Sequence, residues 1–156
     1  MQVGIQKQHE NEWRVQIGNS KLRLDRFSVE LLKITLEHSV ALEHGQQHST
    51  LQSYVKLGMR LNDLAALDLQ KVLRNIQQED LVLLLRLSKD RLFVQKIIDN
   101  IGVIVAKQIE QDLERMTEDP DHDDAKDAIR RIIETTFSLE SSGQIEFTSA
   151  TETQYI

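Results

Sequence analysis

Three groups of residues have the types and spacing that chemistry requires, and each points to a different chemistry. His44 and His48 stand four apart in HGQQH, with Glu43 beside them and His38 a turn and a half earlier. On a helix, two imidazoles at i and i+4 share a face and can hold one metal ion. The glutamate of a zinc hydrolase motif is missing, however, and Gly45 weakens a helix at that point. His38 lies on an apolar stripe, where a hydrogen-bonded core histidine is the plainer reading. DPDHDD (119–124) spaces Asp119, Asp121 and Asp123 alternately, as a calcium loop does. Such a loop needs Gly at its sixth position and Glu at its twelfth, and here these are Asp124 and Arg130. The segment reads instead as an acidic turn capping the helix that follows. The third group is a run of charges of both signs, Lys107, Glu110, Asp112, Glu114 and Arg115, together with Arg86 at the end of a leucine-rich stretch. Mixed charges on one helix suit either a solvated face or the recognition of a protein surface.

Other chemistries have little support. The chain contains no cysteine, which removes disulfides, thiolate metal sites and thiol nucleophiles. Its six glycines form neither a GxGxxG nor a GxxxxGK pattern, so no nucleotide cofactor is expected. No Ser-His-Asp set or carboxylate pair stands out, and an enzyme is not expected. The net charge of −6 is unevenly spread, with residues 1–60 at +2 and residues 61–156 at −8. An acidic main body argues against a general nucleic-acid binder, which needs a basic face toward phosphate.

These residues must be positioned by a chain of 156 residues, the size of one ordinary domain or two small ones. QQEDLVLLLRLSKD (77–90) poses the main structural question, with Leu81, Val82, Leu83, Leu84, Leu85 and Leu87 inside seven positions. The run falls far short of the roughly 20 residues that cross a bilayer, so no membrane insertion is expected. The opening MQVGIQKQHENEWR is polar and lacks the apolar core of a secretory signal, which favours a cytoplasmic location. Its first eight or so residues read as loose. EWRVQIGNSKLRLD (12–25) alternates Trp13, Val15 and Ile17, then Leu22 and Leu24 after a Gly-Asn-Ser turn, and predicts a β-hairpin.

From Ser28, taken as a helix cap, the period becomes helical: Phe27, Leu31, Ile34, His38 and Leu42, with a stop near Gly45. Leu51, Val55 and Met59 mark a second helix, and Leu69, Val72, Leu73 and Ile76 a third. Asp80 is placed as the cap of the leucine run. Leu92, Ile97, Ile98 and Ile101 mark the next helix, and Val105, Ala106, Ile109, Leu113 and Met116 another. After Pro120, Asp123 or Asp124 starts a last helix that buries Ala125, Ile129, Ile132, Ile133, Thr136 and Phe137. A leucine-rich segment among so many amphipathic helices is expected to be a central helix, apolar nearly all round. Periodicity alone leaves a buried strand open. The fold class expected is therefore mainly α, a compact stack of short helices with one N-terminal β-hairpin. The expected divisions are a hairpin-plus-helix module (1–60), a helical domain (61–147) and a disordered tail (148–156).

The order of elements adds a resemblance. LQKVLRNI (69–76), LVLLLR (81–86), NIG (100–102), QDL (111–113), PDH (120–122) and GQI (143–145) follow the ordered motifs of the C-terminal domain of the flagellar motor switch protein FliG, which this segment resembles over about residues 63–147. The resemblance implies a helical domain without enzymatic activity, in a cytoplasmic ring at the inner membrane. It implies protein partners, namely switch-ring or stator subunits, met through charged side chains on one helix and its neighbours. Carried over by position, Arg86 keeps the charge of the family's lysine and Asp112 matches the second of its paired aspartates. Gln111 stands where the first aspartate belongs, Ile104 where an arginine belongs, and His122 where another arginine belongs. Arg86 and Asp112 are thus the leading candidates for partner binding, with Lys107 and Glu110 on the same surface. The alternatives are an α-helical adaptor of another assembly, such as a secretion machine, and a metal-binding protein using His44 and His48. Oligomeric state is left open.

Overall fold

The computed structural model describes residues 1–148. The last eight residues, where most of the expected disordered tail falls, lie outside the described residues. Contacts divide the chain into two compact units, Met1–Ser53 and the part from Tyr54 onward.

The first unit opens with three antiparallel strands, β1 (Val3–His9), β2 (Glu12–Ile17) and β3 (Ser20–Leu24), in the order β1-β2-β3. The expected hairpin is β2–β3, with Ile17 opposite Ser20 and Val15 opposite Leu22. Gly18 takes the first central turn position at φ 59°, a left-handed value that suits the twist of a tight hairpin. The first residues are not loose, as the sequence suggested, but form β1, in register with β2 through Val3–Ile17 and Ile5–Val15. With only Val3 and Ile5 as apolar alternation, β1 is held mainly by the backbone ladder along the open edge of β2, a tertiary effect.

Helix α1 (Arg26–Val40) follows. Its cap is Asp25, whose carboxylate accepts the Ser28 N–H at 2.8 Å, so Ser28 lies inside the first turn and is not the cap. The helix ends at Val40, five residues before Gly45. From Ala41 to Gln47 every residue is exposed, so no buried face remains to extend it.

Helix α2 (Thr50–Gly58) leads into a short 3-10 turn (Met59–Asp63). The expected face Leu51, Val55 and Met59 is only half-buried; Ser53, Leu57 and Leu61 are buried instead. Then come α3 (Ala66–Leu73), α4 (Gln78–Ser88), α5 (Arg91–Asp99), α6 (Val103–Arg115) and α7 (His122–Ser141). The leucine run is α4, a helix packed against α5, α6 and α7. Leu81, Val82, Leu84 and Leu85 are buried and Leu83 and Leu87 half-buried, the pattern of a helix covered on most sides. Asp80 does not cap it: α4 begins at Gln78, and Asp80 is a buried residue of the first turn.

Two faces are shifted from the sequence reading. Asp90 caps α5 by accepting the Phe93 N–H, which sets the phase so that Phe93 and Ile97 point inward and Leu92 is left exposed. On α6, Ala106 and Ile109 are buried while Val105 is exposed. On α7 all six expected residues are buried. Its cap is Asp121, which accepts the N–H groups of Asp123 and Asp124. Those two carboxylates sit in the first turn, where they favour the positive end of the helix dipole.

The chain returns to the start of this unit after α7. Phe147 forms an antiparallel bridge with Leu64, and the Thr148 N–H donates to the Asp63 carbonyl at 2.8 Å. Asp68 accepts the Glu146 N–H, and Lys96 donates to the carbonyls of Asn62 and Leu64. Ile145 and Phe147 are thereby buried, and the Arg60 guanidinium lies 4.5 Å over the Phe147 ring.

Candidate partner-binding surface

The candidate residues sit on two helices, positioned by the packing of α4 against α6. Arg86 lies in the last turn of α4, where a cation complements the carbonyl end of the helix. It is not a free charge. Its Nε donates to Asp119 at 3.1 Å, and Lys89 reaches the other oxygen of the same carboxylate at 3.6 Å. Asp119 belongs to the acidic turn before α7, so the loop that resembled a calcium site is engaged as a cation partner and, through Asp121, as a helix cap.

Lys107, Glu110 and Asp112 are all exposed on α6, and their side chains make no ion pair among the described residues. They do not share one stripe. With Ala106 and Ile109 turned inward, the helical period puts Lys107 and Glu110 toward one flank and Asp112 toward the other. The crest between them carries Ile104, Gln108 and Gln111. Thus two of the three positions with altered chemistry in the resemblance, Ile104 and Gln111, are those that face solvent most directly on this helix.

An apolar surface that the sequence reading overlooked adjoins this crest. Val103 and Ile104 are 72% and 74% exposed, unusual for adjacent β-branched residues in the first turn of a helix. Beside them, a cleft of about 560 Å³ is lined by Leu73, Ile76, Leu81, Ile101, Val105 and Ile109, with Arg74 and Asn100 among its polar groups. The run Val103-Ile104-Val105 could have revealed this, because three consecutive helical positions span about 200° and cannot all face a core on one side.

A second overlooked feature is structural. Arg131 of α7 grips the buried Asp80 with two parallel hydrogen bonds of 2.9 Å. The hydrogen bond to Asp80 raises the Arg131 pKa further above its ordinary value, so the guanidinium stays charged. This fork ties the start of α4 to the middle of α7, which is the frame that holds Arg86 and α6 in place.

The histidines do not form the metal pair that the sequence offered as an alternative. Residues 42–49 are not helical, so His44 and His48 have no shared helix face. His48 instead stacks on His38, with ring centroids 5.2 Å apart, and its Nε2 hydrogen-bonds the buried Ser53 hydroxyl. The Ser53 hydroxyl in turn hydrogen-bonds the Thr35 hydroxyl at 3.1 Å. Face-to-face rings do not converge on one ion, and among the described residues no group of three or more His, Asp or Glu side chains could hold a metal.

No curated protein matches the chain. The FliG C-terminal domain matches it over residues 58–147, from the last residue of α2 to the Phe147 bridge, with α3 to α7 between. That family is a structural domain of the flagellar motor switch and not an enzyme family. A match across more than half of the chain, over helices whose order agrees with the motifs from LQKVLRNI to GQI, means that this chain belongs to the FliG C-terminal domain family.

Proposed function

We propose that the chain is a non-enzymatic interaction module of a flagellar motor switch, a FliG-like component or paralogue that meets protein partners through α4 and α6. The observation that carries this reading is the charge on the two exposed flanks of α6, where Lys107, Glu110 and Asp112 make no ion pair among the described residues, with Arg86 held by Asp119 at the end of α4. Charges held on rigid helices suit recognition, since register and partner choice are set by charge complementarity more than by buried area. The partners are ring or stator subunits, and the location is the cytoplasm at the inner-membrane face. Among the described residues no helix is long and apolar enough to cross a membrane. Within this reading, residues 1–60 act as an accessory module attached to the helical domain of residues 61–147.

A second reading is supported by Ile104 and Val103. An exposed apolar pair in the first turn of α6 suits an adaptor of another assembly, such as a secretion machine, better than electrostatic contact with a stator.

Affinity capture of the tagged chain from its native cells, followed by mass spectrometry, separates the two. Flagellar ring or stator subunits should co-purify, and the double reversal Arg86→Asp with Asp112→Lys should reduce their recovery by roughly tenfold while the helical circular dichroism is unchanged. Recovery of a different machine with no flagellar protein would refute the motor reading. Unchanged recovery in the double variant would remove Arg86 and Asp112 from the surface.

A further inference from the structure

The three-stranded sheet has two chemically opposite faces. Its register puts Val3, Ile5, Val15, Ile17, Leu22 and Leu24 on one face, and Gln6, Arg14, Gln16, Lys21 and Arg23 on the other. Arg14 and Arg23 are direct cross-strand partners, and Lys21 lies two residues from Arg23 on the same strand and face. Like charges placed directly opposite one another destabilise a sheet unless something neutralises them. Arg23 approaches Glu12 at 3.6 Å, whereas Arg14 and Lys21 make no ion pair among the described residues. All three are exposed and border a shallow cleft of about 280 Å³. The face therefore carries uncompensated positive charge on a rigid backbone, a surface fitted to an acidic polypeptide segment.

The chain itself contains such a segment. Residues 117–127 hold six carboxylates against one lysine. Asp119 and Asp121 are occupied with Arg86, Lys89 and the α7 cap, but Glu118 and Asp123 are exposed and make no ion pair among the described residues. We propose that copies of this chain associate head to tail, the cationic sheet face of one copy (Arg14, Lys21 and Arg23) receiving the acidic turn around Glu118 and Asp123 of the next. The two patches differ, so the contact is heterologous, and each added copy leaves one patch of each kind free. This inference does not depend on the flagellar reading, since it concerns only the chain's affinity for itself.

Sedimentation velocity of the intact chain over a range of concentrations tests it. Association should grow with concentration at about 50 mM salt and weaken at least about tenfold by roughly 500 mM, as screening shortens the reach of exposed charges. Arg14→Glu with Lys21→Glu should abolish it, as should Glu118→Lys with Asp123→Lys. A chain carrying all four substitutions should regain it, because both patches have exchanged sign. A synthetic peptide of residues 116–128 should compete with the wild-type contact, a readout that needs no variant to fold. If a reversal fails to fold by circular dichroism, Arg14→Gln with Lys21→Gln should still weaken association. A chain that stays monomeric at low salt overturns the proposal. So does association that ignores either pair of reversals, or a salt-sensitive change that is independent of concentration, which would mean a contact within one copy.

Discussion

Gly58 offers a demanding test of how α2 meets the helical core, because two opposing effects of comparable size act there. It ends α2 with helical dihedrals of φ −59° and ψ −36°, so backbone preference alone would favour alanine by up to about 1 kcal/mol. A methyl group at this position would lie 2.7 Å from Cδ1 and 3.2 Å from Cδ2 of Leu84, and 3.3 Å from Cγ2 of Ile129. Carbon atoms in contact prefer about 3.5–4.0 Å. Leu84 and Ile129 are both fully buried, so neither can swing into solvent, and overpacking of this kind costs about 1–3 kcal/mol. The packing term wins. Gly58→Ala should destabilise the chain by about 1–2 kcal/mol net, with a fall in Tm of about 2–8 °C for a protein of this size. Urea unfolding followed by circular dichroism should show a lower midpoint with an unchanged slope. Leu84→Ala alone should cost about 2–5 kcal/mol. In the double variant the new methyl occupies part of the space that the leucine vacates, so the two effects should fall short of additivity by about 1 kcal/mol or more. A Gly58→Ala protein as stable as the wild type, or strictly additive effects, would refute the close approach of α2 to α4 and α7.

Two further predictions concern buried polar groups. Asp80→Ala should cost about 1–3 kcal/mol in urea unfolding. Arg131→Met should cost more than that, because it strands a buried carboxylate, whereas the aspartate change leaves the arginine free to reach water. The opposite ranking would mean that the fork does not hold α4 to α7. Ser53→Ala should cost about 1 kcal/mol, since Thr35 keeps its bond to the Leu31 carbonyl and only the links to Ser53 are lost. A change above about 3 kcal/mol would show that the buried serine organises the turn between α1 and α2 more widely than these bonds imply.

Much of the helical domain is legible residue by residue. The buried side of α7 follows from the spacing of Ala125, Ile129, Ile132, Ile133, Thr136 and Phe137, because a long helix with one wet face shows a strong period. The leucine run identifies a central helix once amphipathic neighbours surround it. The shorter helices are less legible. In α5, Leu92 and Phe93 are adjacent apolar residues, and only the Asp90 cap and the packing of Phe93 decide which turns inward. In α6 the run Val103-Ile104-Val105 offers more apolar side chains than one face can bury, so the surplus reaches solvent. Strand β1 was missed because its stability comes from a neighbouring backbone, which leaves almost no trace in side-chain alternation.

The candidate surface divides in the same way. From the sequence alone came its elements: a positive charge ending α4, mixed charges along α6, and the ordered motifs of the FliG C-terminal domain. Those follow from local spacing, which fixes where each side chain sits on its own helix. Tertiary structure decided what each charge meets. Arg86 is held by Asp119, thirty-three residues away, and Asp80 by Arg131, fifty-one residues away. Such pairings depend on how helices pack, and no local period reports them. Packing also turned Ile104 and Gln111 to the crest of α6, because the burial of Ala106 and Ile109 sets the rotation of the whole helix.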